Sequence, residues 1–389
     1  MKLREAFLLL VFLTSALQVF SQTDPVSQPG DLVGQQRAIT TAVPFIGITP
    51  DARHAALGDA GVATSADANA AYWNAGKLVF IENKKYGGSF SYTPWLGKIV
   101  NDMWISSLSG FVKLDQEQAI AVSLKYFDLG EISFRGYQNE PLGDFNPKEA
   151  AFDATYSRKL TENFSIGLSG RYIFSNLTGA FTGSDAQAGN SVAADLGVFY
   201  TKELRGTRAS ILSFGGQISN IGAKISYTDN NNKDFLPTNL RLGGAYTTEL
   251  DAYNSLTFIL DVNKLMVPSP GANRDTVSLL SGMFGSFSDA PGGAKEEFQE
   301  FMISSGVEYW YRNIFAARLG YFNEHKDKGN RKYMTMGIGF RKEKFGIDVA
   351  YIVPTNQREH PLAETLRFTL LMHINSTTLE EEESVTDEN

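Results

Sequence analysis

His54, His325, His360 and His373 are the natural candidates for metal binding or acid–base work, but no two share an i,i+4 or His-x-His spacing. The chain has no cysteine, which excludes disulfides, thiol nucleophiles, Cys-ligated zinc and a lipoprotein anchor. No nucleophile–base pair, phosphate loop or metal spacing stands out among the scattered carboxylates. The expectation is a protein with no catalytic residues, no metal and no cofactor. The residues that do suggest work are of another kind. Met283, Phe284, Phe287 and Phe298, with Asp289, concentrate apolar surface in one long polar connection. Such a patch either packs a loop onto its own rim or binds a protein partner. A second group, Pro50, Asp51, Arg53, Gly58, Asp59, Trp73 and Asn74, punctuates an Ala- and Gly-rich stretch near the N-terminus. A formal net charge of −8 argues against nucleic acid as a partner.

The elements that must position these residues begin with an export signal over residues 1–21. Lys2 and Arg4 precede an apolar run from Ala6 to Phe20, and Val19 and Ser21 stand at −3 and −1 of a cleavage site before Gln22. The run is too short and too often interrupted by Ser, Thr and Gln for a membrane helix. No other stretch reaches the ~18 apolar residues such a helix needs. Two destinations remain, a soluble exported all-β protein or an outer-membrane β-barrel.

From about residue 84 the apolar signal has period two. Phe164, Ile166 and Leu168 alternate with Ser165, Gly167 and Ser169; Leu256, Phe258 and Leu260 alternate with Thr257, Ile259 and Asp261; Met334, Met336 and Ile338 alternate with Thr335 and Gly337. A β-sandwich gives the same alternation with its apolar face inward. Three further features favour the barrel. Many segments run about ten residues, the span of a tilted membrane strand. Short links such as Asp115–Glu117, Leu160–Asn163 and Leu250–Tyr253 alternate with long polar ones such as Gly136–Lys148, Asn220–Pro237 and Leu265–Glu300. Counting strands from Lys84 to Ile374 gives fourteen, with Glu131–Tyr137 and Ala223–Thr228 as possible extra elements. An even count puts both termini in the periplasm and Leu265–Glu300 outside the cell.

The fold expected is an all-β, transmembrane antiparallel barrel of about fourteen strands over residues 84–374. Residues 22–34 form a periplasmic N-terminal segment, 35–83 a small helical plug in or under the lumen, and 375–389 an acidic disordered tail. Asp51 is placed to cap a short helix after Pro50. Within Leu265–Glu300, Thr276–Phe284 reads as a short amphipathic helix and Asp289–Gly293 as a turn. The charged alternates Lys125, Asp153, Arg171, Asp195, Arg241, Asp261, Arg318, Asp348 and Arg367 project into the lumen. Their mixed signs favour internal salt bridges over a single-sign selectivity ring.

A plug of this order ahead of a fourteen-strand barrel resembles the FadL family of outer-membrane lipid channels. That family often carries Asn-Pro-Ala in its plug, where this chain has Asn74-Ala75-Gly76. Within it the chain is similar to the PorV family of type IX secretion in Bacteroidota. The likeness rests on Ala42–Arg53 (AVPFIGITPDAR), Gly58–Ala63 (GDAGVA), Asp67–Asn74 (DANAAYWN), Ser286–Gly293 (SFSDAPGG), Glu296–Glu300 (EEFQE) and His360–Phe368 (HPLAETLRF), and covers nearly all of the mature chain. The resemblance implies a non-enzymatic carrier with several partners: the type IX translocon barrel, cargo C-terminal signal domains, the sortase-like attachment complex and outer-membrane lipid. Met283, Phe284, Phe287, Asp289 and Phe298 are then the residues expected to meet cargo. A FadL-like channel for hydrophobic small molecules is the alternative. It predicts an apolar pocket between plug and wall lined by Phe45, Ile46, Ile48, Tyr72 and Trp73.

Overall fold

The computed structural model describes residues 38–82, 85–97, 102–135, 138–139, 141–177, 187–228, 233–270, 276–355 and 365–374. The expected signal, the segment 22–34, the tail 375–389 and most of His360–Phe368 lie outside these residues. In chain order, β1 (Tyr86–Pro94), β2 (Trp104–Lys113) and β3 (Gln118–Asp128) precede a small hairpin, β4 (Ile132–Arg135) and β5 (Pro141–Phe145). Next come β6 (Lys148–Lys159), β7 (Phe164–Asn176), β8 (Gly189–Leu204), β9 (Ser210–Gly222), β10 (Asn239–Glu249) and β11 (Asn254–Leu265). β12 (Phe301–Tyr311), β13 (Phe315–Asn323), β14 (Lys332–Lys342), β15 (Phe345–Pro354) and β16 (Leu366–Ile374) complete the chain.

All strands except the β4–β5 hairpin form one closed antiparallel barrel, sealed where β1 pairs with both β2 and β16. That makes fourteen barrel strands, the number read from the alternation. The Glu131–Tyr137 region does form a strand, but it belongs to the hairpin rather than the wall. Ala223–Thr228 forms no named strand and contributes an isolated bridge, Ile225 to Asp234. Closure removes the free edges that an open sheet would expose.

Side-chain alternation holds around the wall. Leu108, Val122, Phe152, Leu168, Leu196, Leu242, Leu260, Leu319, Ile338 and Leu370 face outward and exposed, as a lipid-facing surface must be. Tyr92, Trp104 and Tyr126 stack side by side near the long-loop rim, part of an aromatic girdle. Inward positions are small or polar, including Ser157, Ser165, Thr335 and Thr369, and they are buried because the lumen is filled. Among the described residues no helix is long and apolar enough to cross a membrane.

What fills the lumen is the segment before β1. It contains 3-10 turns at Pro44–Gly47 and Ala75–Phe80 and single-turn helices at Ala52–Ala55 and Ala70–Trp73. Its first part, Val43, Phe45 and Ile46, packs on Ile105, Phe127, Ile173 and Leu236 at the long-loop end. Its last part, Leu78, Val79 and Ile81, packs on Phe111, Ala119 and Leu371 at the tight-turn end. The plug therefore runs the length of the barrel. Glycines in the wall let its backbone come close. A Cβ on Gly320 would stand 2.1 Å from the Gly58 nitrogen, and one on Gly167 would stand 2.2 Å from the Ala75 carbonyl carbon. Larger side chains there would push the plug off the wall.

Candidate functional site

The plug is seated by buried charge. Asp51 caps Ala52–Ala55 as its position after Pro50 implied: its carboxylate accepts from the His54 backbone N–H at 3.0 Å and His54 Nδ1 at 2.7 Å, and from Trp73 Nε1 at 2.8 Å. Arg53 forks onto Glu308 of β12 at 2.9 and 2.7 Å and reaches Asp67 at 2.9 Å. Glu308 also accepts from Arg318, which meets Asp348, which in turn meets Arg341. Gly58 takes a left-handed φ of 69° against the Tyr321 backbone. Asp59 accepts from Thr49 at 2.7 Å and from the Tyr333 hydroxyl. Asn74 donates to Val62 O and Val198 O and accepts from Gly76 N, fastening the plug to β8. The plug residues singled out by sequence thus lie in one continuous seat, which Pro50 enters as a buried residue.

The lumen charges divide into two sets. Arg171 binds both Asp153 and Asp195, helped by a bulge in which Ser219 and Asn220 stand opposite Asp195. Arg318 and Asp348 likewise pair within the wall, and the other four hold the plug. Lys125 donates to Ile46 O and Ile48 O, Arg367 to Thr49 O, and Asp261 accepts from the Gly61 and Val62 N–H groups. Arg241 lies 4.6 Å from the Trp73 ring centroid. Wall–wall salt bridges are therefore only part of the account. Of the residues expected on a lipid path, Phe45, Ile46 and Trp73 are buried, while Ile48 and Tyr72 are half-buried. Cavities of about 540 and 460 Å³ lie elsewhere, the larger against Leu319 and Met336 on the lipid side, the smaller at the turns near Tyr253 and Arg312.

The second site is the connection between β11 and β12. It folds into two short helices, Leu279–Gly285, capped by the Ser278 hydroxyl on Ser281 N, and Ala294–Gln299. The first helix starts three residues later than the sequence reading placed it, and the second lacks any apolar period that would have announced it. Gly282 brings the first helix close to neighbouring loops: a Cβ there would be 2.9 Å from the Phe235 ring and 3.1 Å from Pro268. The turn between the helices is closed by carboxylates, with Glu297 accepting from Ala290 N and Glu296 from Gly292 N, both at 2.7 Å. Lys264 of β11 then binds Glu297 and Glu300, and Lys328 binds Glu296 and Glu300 at 2.8 Å each. Burial alone would lower the Lys328 pKa, but the hydrogen bonds to Glu296 and Glu300 outweigh it and the value is raised.

This brace sorts the expected contact residues. Phe298 is 76% exposed and Phe284 67%, and Leu280, four residues before Phe284 on the same helix face, is 60% exposed. Phe287 is 40% exposed and lies 5.4 Å from the Lys264 ammonium. Met283 is buried, and Asp289 accepts from Ser269 N at 3.1 Å, bracing the loop from within. Leu280 was not singled out, although its i,i+4 relation to Phe284 was visible. Glu296–Glu300 enters the sequence reading only through the family likeness, because an acidic run reads as a solvated face until its lysines, Lys264 and Lys328, are brought to it. Among the described residues no cluster of His, Asp and Glu is arranged to hold a metal ion.

A closed antiparallel barrel with a lipid-facing apolar band, a lumen filled by its own N-terminal segment and a braced long loop defines an outer-membrane barrel protein of the FadL-like architecture. A deletion mutant of the TodX monoaromatic hydrocarbon channel is similar in fold, with a TM-score of 0.51 and 11% identity over 84% of this chain and 98% of that one. The Ralstonia pickettii toluene transporter TbuX aligns over the same shares at 11% identity with a TM-score of 0.47. A Pseudomonas aeruginosa FadL homologue does so at 11% identity with a TM-score of 0.43. No curated protein sequence matches the chain. Residues 32–272, more than half of the chain, match the family described as type IX secretion system protein PorV, and the chain belongs to that family. It is an outer-membrane component of type IX secretion.

Proposed function

We propose that this chain is a non-enzymatic carrier in type IX secretion. It receives cargo leaving the translocon barrel, holds the cargo's C-terminal signal domain on its outer loops, and passes it to the sortase-like attachment complex. The observation that carries this reading is the pairing of Leu280 and Phe284, both exposed, on a helix whose other face is buried. A soluble face would not keep two large apolar side chains together on a braced loop, whereas a docking face needs them held in advance. Phe287 extends the same surface, and Met283 and Asp289 support it from below. The burial of Phe45, Ile46 and Trp73 between plug and wall supports a carrier over a channel for small molecules, although Ile48 and Tyr72 keep part of their surface free. In this reading the long loops face the cell exterior and the tight turns the periplasm.

The test is a photo-crosslinkable residue at position 284 in the full chain, expressed in a type IX-competent cell. Capture of cargo through its C-terminal signal domain is expected. Efficient crosslinks to lipid alone, with cargo secreted normally, would overturn the assignment.

A further inference from the structure

The register of β11 carries a consequence for the other end of the same loop. Leu256, Phe258 and Leu260 point to the lipid side while Thr257, Ile259 and Asp261 point inward, so Lys264 is also on the outward face. Yet Lys264 is fully buried, its ammonium held by Glu297 and Glu300 and flanked by the Phe287 and Phe301 rings at 5.4 and 5.5 Å. The helix Ala294–Gln299 therefore covers the outside of the wall and not the mouth of the lumen. Glu296, Glu297 and Glu300 face the two lysines, which leaves Phe298 on the opposite side, 76% exposed. Its ring centroid is 6.4 Å from that of Phe301. Two residues on, Ile303 is exposed on the lipid-facing band.

We infer that Phe298 seats this rim of the barrel in lipid, extending the membrane-facing band through Phe301 and Ile303 to the headgroup boundary of the outer leaflet. Three facts favour lipid over a protein at this position. The surface is continuous with the band that lipid already covers. Aromatic side chains are the type that gathers at that depth. The carboxylates of Glu296, Glu297 and Glu300 beside Phe298 are turned away from it onto Lys264 and Lys328, and the exposed Lys295 one turn earlier is of the type that reaches headgroups on a flexible stem. Leu280 and Phe284, by contrast, sit on the helix that packs on Phe235 and Pro268, whose neighbour Leu236 belongs to the cluster at the lumen mouth. The two exposed faces of one loop thus have different occupants. This inference stands whether or not the loop carries cargo.

The absence of cysteine allows single labels without background. Phe298→Cys and Phe284→Cys, each carrying a nitroxide, are placed in the full chain and reconstituted in phosphatidylethanolamine–phosphatidylglycerol vesicles. Folding of both is checked by heat-modifiable mobility. The expected result is that oxygen, relative to a soluble nickel chelate, relaxes the label at position 298 several-fold more effectively than the label at 284. Equal access of the chelate to both labels would overturn the inference. So would protection of position 298 that arises only when a cargo signal domain is added.

Discussion

The plug and the long β11–β12 loop are held by the same device and end with opposite surfaces. Each is fastened to the wall by buried ion pairs, Arg53 to Glu308 in the plug and Lys264 and Lys328 to three glutamates in the loop. In the plug the device serves burial: Phe45 and Trp73 are fully enclosed. In the loop it serves display, because Leu280, Phe284 and Phe298 remain exposed. Buried ion pairs contribute little net stability but fix a unique arrangement, and losing one partner is costly. The difference teaches where to look for binding in a barrel of this kind. An ordered loop with exposed aromatics is the better candidate than a lumen in which most of the plug's described apolar side chains are buried.

The sharpest way to break the comparison is in the plug. Arg53→Ala leaves Glu308 and Asp67 buried without that partner, and the expected loss is about 3–5 kcal/mol, read as a lower temperature for the heat-modifiable shift. The paired change Arg53→Met with Glu308→Leu should recover only part of it, because Asp67 stays without its arginine and Arg318 keeps Asp348 alone. Full recovery in the same assay would mean that these two further contacts carry no stability. Gly320→Val should cost about 1–3 kcal/mol by forcing the wall away from Gly58. A neutral result in the same melting assay would mean that the plug yields easily.

The loop should respond locally. Lys264→Met leaves Glu300 with Lys328 and Ser269 only, and about 1–3 kcal/mol of loop order should be lost. Limited proteolysis of residues 276–300 should accelerate while the barrel melt barely moves. The Lys328 brace also sets a pH limit. A lysine whose pKa is raised on folding contributes fully below its ordinary value of 10.5 and loses that contribution as pH rises through the folded value. Loop cleavage by an alkali-tolerant protease should therefore be flat through neutral pH and rise only above that range. A rise near pH 8 would contradict the assigned pairing.

Much of the barrel was legible because membrane strands must alternate. Thr257, Ile259 and Asp261 on one side of β11 and Leu256, Phe258 and Leu260 on the other leave little choice of register. The alternation of tight turns and long loops was equally plain. The wall glycines were visible in the sequence, but their use was not, since Gly320 matters only because Gly58 lies against it. The loop was the least legible part. Glu296, Glu297 and Glu300 look like a solvated acidic face, and their partners Lys264 and Lys328 lie dozens of residues away. Met283 and Phe284 are adjacent apolar residues, and only the packing of Gly282 on Phe235 decides which is buried and which is displayed.

The central claim is that the displayed face handles cargo. Leu280→Ser with Phe284→Ser removes two exposed side chains, so stability should change by less than about 0.5 kcal/mol. In cells carrying that variant at normal outer-membrane levels, the account predicts that cargo bearing a C-terminal signal domain fails to reach the surface in attached form. Normal surface attachment of cargo in that variant would contradict it.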